Sequence, residues 1–241
     1  MNDHEIGERL IVNSQAAIKR RPNNIRILTY EGNYNAVLMN YGGWGQDHIK
    51  IGVVEWRRGE DPRSEFSAGL DAIEQGLTLA QSLSAGPNDI DQLELHIAQP
   101  IAYLMNRNLT LPDGYGQRED QLPDVMADEL LADALFDRPY RQRLPTILQA
   151  LAAKKRQMLA LLSFQTYFDL LDAAGDPMRI AELAAQGDAL YQRRVKDVFY
   201  ANGSLLSAGG DENSIMVDYQ LAAVLKKVGF KGESLHRWRW D

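Results

Sequence analysis

Apolar residues recur at steps of three and four along most of the chain, the spacing that lines one face of an α-helix. Ile6, Leu10, Ala17 and Ile18, with Ile11 and Val12 alongside, predict a helix over 3–21. Pro22 and the Asn23-Asn24 pair predict a break, and Asn24 a cap for a second helix through Ile27, Leu28, Tyr34, Val37, Leu38 and Tyr41. Gly32 weakens that helix, and the glycines of Tyr41-Gly-Gly-Trp-Gly45 are expected to end it. In the stretch 48–56, Ile49, Ile51 and Val53 alternate as in a strand. No second strand offers itself as a partner, so helix is the expectation at 48–58 and a short strand pair the alternative.

Asp61-Pro62 marks a helix start, because proline's missing donor would be unpaired in the first turn anyway. Phe66, Leu70, Ile73, Leu77 and Leu83 form that helix's apolar stripe, and Gly86-Pro87 stops it. Asn88 or Asp89 caps the next, with Ile90, Leu93, Ile97, Ile101 and Leu104, which Pro100 kinks or divides. Beyond a polar stretch, Val125, Leu130, Leu131, Leu135 and Phe136 place a helix over 124–136, and Pro139 breaks it. The pattern from 146 to 174 reads as one almost uninterrupted helix. Gly175-Asp-Pro177 is a stop followed by a cap, and a helix runs from 178 to about 200. A last helix is expected over 214–228, with its cap among Asp211 to Asn213 and Gly229 closing it.

The fold class expected is therefore all-α, an array or bundle of about eight antiparallel helices joined by short loops. No fixed-period repeat is present. The chain reads as one helical domain over 1–241; if it has two lobes, the split falls in 108–123, where Pro112, Gly114, Gly116 and Pro123 lie among polar residues.

Composition narrows the function. The chain has no cysteine, which excludes structural disulfides and thiolate zinc sites. The N-terminal MNDHEIGERLIVNSQ has no basic segment followed by an apolar run, so no signal peptide is expected. No stretch reaches the roughly 18 apolar residues of a membrane span. A formal charge of −7 works against nucleic-acid binding, which draws on phosphate neutralisation. Cytoplasmic location follows as the expectation.

The chemistry-bearing motifs are sparse. His4, His48, His96 and His236 form no HExxH, and Glu233-x-x-His236 stands alone where di-iron bundles need two such pairs. There is no G-x-S-x-G elbow, and Gly42-Gly43-Trp44-Gly45 lacks the lysine and spacing of a phosphate loop. No catalytic residue, metal ligand or cofactor is assigned.

Two features point toward binding. Asp124, Asp128, Asp133 and Asp137, with Glu129 beside them, run at steps of four and five along one side of a helix. Like charges at this spacing cost a few tenths of a kcal/mol, so such a helix either balances them with Arg138, Arg141 and Arg143 or presents them to a cationic partner. The second feature is the C-terminal region. Asp211 and Glu212 sit at the favourable end of a helix dipole, and Trp238 and Trp240 are expected to fold back over apolar surface with Arg237 and Arg239 outward. Tryptophan and arginine are also frequent at binding hot spots.

The succession of amphipathic helices, the Asp-Pro starts at 61 and 176, and the aromatic-rich helix 164–171 resemble the helical immunity proteins of bacterial polymorphic-toxin and type VI secretion systems, the immunity protein 49 cohort among them. That resemblance implies a cytosolic, non-catalytic protein that sequesters a cognate toxin; it assigns no residue. The expectation is a protein-binding module whose partner has a basic surface, with homo-oligomerisation open. A helical hydrolase working through carboxylates and a scaffolding subunit of a larger assembly are the alternatives.

Overall fold

The computed structural model describes residues 3–111, 122–154, 158–201 and 217–240. Every regular element among the described residues is helical, so the fold is all-α and the strand alternative at 48–58 falls away. The chain divides into two compact units, 1–117 together with Trp240, and 118–239 together with Asp241.

The first unit is built on three long helices, α1 (Asp3–Tyr30), α2 (Tyr34–Arg58) and α3 (Arg63–Ser82). Contrary to expectation, α1 runs straight through Pro22. A proline removes one ladder hydrogen bond and strains its helix, but packing of α1 on α2 offsets that cost. The chain turns instead at Gly32, whose φ of +70° suits glycine, and Asn33 caps α2 by accepting from the Ala36 amide at 3.3 Å.

The glycines at 42, 43 and 45 do not end α2; they lie in its middle. Their absent side chains leave room for neighbours. A Cβ on Gly42 would stand 2.1 Å from the Gln92 carbonyl oxygen, and one on Gly45 would collide with Ile73. Gly43 leaves room for Arg21, which crosses it to reach Asp47 at 3.1 Å and Asn40 at 3.3 Å. The helix then continues through 48–56 and ends at Gly59, φ +79°.

Helix α3 starts at Arg63, one residue later than the Asp-Pro signal implies: Pro62 is the N-cap instead of the first helical residue, and Asp61, just outside, accepts from the Arg63 amide at 3.1 Å. Val37, Leu38, Ile49, Val53, Phe66, Leu70 and Ile73 form the core between α2 and α3. Beyond them lie α4 (Pro87–Ile90), a 3₁₀ turn over Asp91–Leu93 and α5 (Leu95–Leu104). The division of this region falls at Glu94, in a left-handed conformation, while Pro100 sits inside α5.

The second unit comprises α6 (Pro123–Leu135), α7 (Leu144–Ala152), α8 (Met158–Asp172), α9 (Pro177–Ala201) and α10 (Tyr219–Lys227). The single helix expected over 146–174 is two: Ala153 forms a turn and Lys154 is non-helical. Only Ile147 and Leu151 of α7 are buried, whereas α8 buries Leu161, Phe164, Tyr167, Phe168 and Leu170. Asp176 caps α9 by accepting from the Arg179 amide at 3.1 Å. Helix α10 begins later than expected. Asp218 is its cap, accepting from the Leu221 amide at 2.9 Å; the expected caps at 211–213 lie outside the described residues.

Candidate functional site

Asp128, Asp133 and Asp137 on the acidic side of α6 have partners within their own unit. Asp128 accepts from the Gln220 amide nitrogen on α10. Glu129 is buried, and Asp124 is half-buried. Asp133 receives Arg138 at 3.0 Å and Arg143 at 3.8 Å; burial pushes its carboxyl up, against the pull of the two guanidiniums. Asp137 follows the helix in a left-handed conformation (φ +57°) and meets Lys227 at 2.8 Å. Three of the charges that the sequence places on one stripe, Asp128, Asp133 and Asp137, thus go to different partners.

Where α6 ends, the surface is concave. A cleft of about 730 Å³ lies between the segment 137–143, Leu171 of α8 and Lys227 of α10. Its charged wall is mainly cationic, carrying Arg138, Arg141, Arg143 and Lys227. Tyr140 is stacked on Phe168 with ring centroids 5.6 Å apart and carries the Arg141 guanidinium 5.4 Å above its own ring. Arg141 reaches Asp172 of α8 at 2.6 Å, and both side chains are more than half exposed. Lys227 is held from two sides, by Asp137 and by the Leu135 carbonyl at 3.0 Å. A second, flatter hollow of about 500 Å³ follows Glu5, Glu8, Arg9, Val12 and Asn13 along α1.

The C-terminal residues build a buried polar network rather than an exposed edge. Asp218 receives the Tyr167 hydroxyl at 2.6 Å and Arg194 at 2.9 Å, and its amide donates to His236 Nδ1 at 3.0 Å. Burial pushes the Asp218 carboxyl up, but Arg194, His236, the Leu221 amide and Tyr167 together hold it below its ordinary value. Trp238 is buried, with Lys226 5.8 Å above its ring; Trp240 belongs to the first unit, where it meets Trp56 edge-on at 5.7 Å. Asp211 and Glu212 lie outside the described residues.

Comparison with protein-family models, curated proteins and solved structures finds no match.

Two constellations in the structure resemble catalytic ones, and their hydrogen bonds say otherwise. Ser234, Asp188 and His236 cluster together, yet the Ser234 hydroxyl donates to Asp188 at 2.9 Å, and His236 Nε2 lies 3.6 Å from that same carboxylate. Nucleophilic catalysis needs the imidazole between hydroxyl and carboxylate; here the carboxylate is in the middle. In the first unit, His48 Nδ1 lies 2.7 Å from Glu65, and its Nε2 accepts from the Trp44 indole at 3.2 Å. With the indole donating to Nε2 and Glu65 held against Nδ1, both ring nitrogens are already engaged within the fold. Among the described residues, no group of three or more His, Asp or Glu side chains is placed to hold a metal ion, and no helix is long and apolar enough to cross a membrane.

The cleft at 137–143 has no counterpart among the residues that the sequence singles out for binding, where Arg138, Arg141 and Arg143 stand only as balance for α6. The signal available was Arg138-Pro-Tyr-Arg-Gln-Arg143, a dense basic and aromatic segment in an acidic chain.

Proposed function

We propose that this chain is a protein-binding module, and in its most specific form a cytoplasmic immunity protein that neutralises a cognate bacterial toxin by direct binding. The observation that carries the reading is the cleft at the end of α6, with arginine and tyrosine in its wall and ion pairs open to solvent. Exposed ion pairs contribute about 0–1 kcal/mol to a fold, so stability does not account for gathering them around a concavity. Arginine and tyrosine are the residues most often found at the energetic centres of protein interfaces. The resemblance to helical immunity proteins supplies the toxin as the specific partner class. A basic partner was expected from the acidic stripe of α6; since Asp128, Asp133 and Asp137 are engaged internally, the cleft is the better candidate for the binding face.

The test is affinity capture of the tagged full-length chain from its native cells. A single stoichiometric partner that arrests growth when expressed alone, and is relieved by this chain, is the expected result. Recovery of the bait alone under conditions where that partner class is expressed overturns the reading.

A further inference from the structure

We infer that the cleft at the end of α6 receives an acidic peptide segment, a short run of Asp and Glu side chains on the partner protein. The inference rests on the protein-binding reading above and specifies the partner's chemistry. Four cations, Arg138, Arg141, Arg143 and Lys227, line the cleft, and three carboxylates, Asp133, Asp137 and Asp172, pair with them. Cation is in excess locally, although the whole chain is acidic.

The three carboxylates are not equally committed. Asp133 is largely covered and holds two arginines, so it stays as part of the wall. Asp137 and Asp172 are 85% and 51% exposed, and each meets its cation through a solvent-facing contact. These two already show that a carboxylate fits against Lys227 and Arg141, at 2.8 and 2.6 Å. A carboxylate arriving from a partner can take either position at the cost of one weak surface pair. The receiving cations are held in place meanwhile. Lys227 keeps its bond to the Leu135 carbonyl, and Arg141 keeps its seat on Tyr140, which Phe168 supports. Little ordering is then required on binding, which favours affinity.

A nucleic acid fits less well. Neutralising the phosphate backbone dominates nucleic-acid affinity, and this patch offers four cations on a chain of charge −7. A cleft of about 730 Å³ suits a few side chains rather than a strand crossing the surface.

Fluorescence anisotropy with a labelled octaglutamate peptide on the full chain tests this, with octaglutamine and octauridylate as comparisons. Saturable binding of octaglutamate alone, weakened by salt, is expected. The double variant R141E/R143E should lose about tenfold in affinity or more, because like charges then face the peptide. The variant D137N/D172N should bind about threefold more tightly, since the competing internal carboxylates are gone. Asparagine tolerates the left-handed conformation at 137, so that change does not disturb the turn. A gain of affinity is not what a merely damaged fold produces. No saturable binding, equal affinity in R141E/R143E, weaker binding in D137N/D172N, or a preference for octauridylate each overturns the inference. If a captured partner is retained equally by R141E/R143E, this inference falls while the protein-binding reading stands.

Discussion

Gly45 and Gly69 face each other where α2 crosses α3. The Gly69 carbonyl oxygen lies 2.9 Å from where a Cβ on Gly45 would stand, and the Gly45 carbonyl oxygen 2.8 Å from the corresponding point on Gly69. Gly52 against Phe66, and Gly76 against Leu93 and Tyr41, extend the close approach along both helices. Gly45→Ala should therefore destabilise the protein by about 1–3 kcal/mol, the usual cost of overpacking a well-filled contact. Helix propensity alone predicts the reverse sign, a gain of up to about 1 kcal/mol. Urea denaturation separates the two, and a more stable variant would contradict the packing described here.

Glu55, near the end of α2, has its carboxyl raised from the ordinary glutamate value to about 7, first by burial and then by Glu65, Glu60 and Asp61. A carboxyl whose folded pKa is raised favours the fold fully below its unfolded value and loses that contribution as pH rises through the folded one. Glu55→Gln should match the wild type near pH 4 and melt at a higher temperature than it above pH 7. A difference that is constant across this window would show that Glu55 does not titrate as described.

Asp218 ties three elements together through Tyr167, Arg194 and the cap of α10. Removing one partner of a buried pair strands the other, so Asp218→Ala should cost about 3–5 kcal/mol in denaturant unfolding. Its carboxyl is held below the ordinary aspartate value, so the stability it contributes is present above that value and lost as pH falls through the depressed one. Asp218→Asn should accordingly flatten the acid limb of the stability profile, and an unchanged limb would remove Asp218 from its cause.

The sequence made the all-helical class legible through its periodicity, and the start after Asp176 through capping chemistry. It misplaced what only tertiary contact decides. Pro22 and the glycines at 42–45 carry the local signs of breaks, yet Pro22 lies in a helix packed on its neighbour, and the glycines are there because Arg21, Gln92 and Ile73 press against the helix. The stop after Ala152 has no breaker residue to mark it in the sequence. The acidic stripe on α6 was visible, but its partners Gln220 and Lys227 lie about ninety residues away, beyond the reach of any local pattern. For the same reason the cleft itself was illegible: Lys227 and Leu171 join 137–143 only through the fold.

R141E/R143E should keep its fold, because the pairs it breaks are exposed or long. Its melting temperature should fall by no more than a few degrees, as befits the loss of about 1 kcal/mol. A collapse of stability would show that these arginines serve the fold instead of a partner.

The most direct test of the account is affinity capture from native cells with the wild type and R141E/R143E in parallel. The account predicts one stoichiometric protein partner on the wild type, carrying an acidic segment, and its loss from the folded variant. A wild-type bait that retains no protein, or a partner held equally by both, would contradict it.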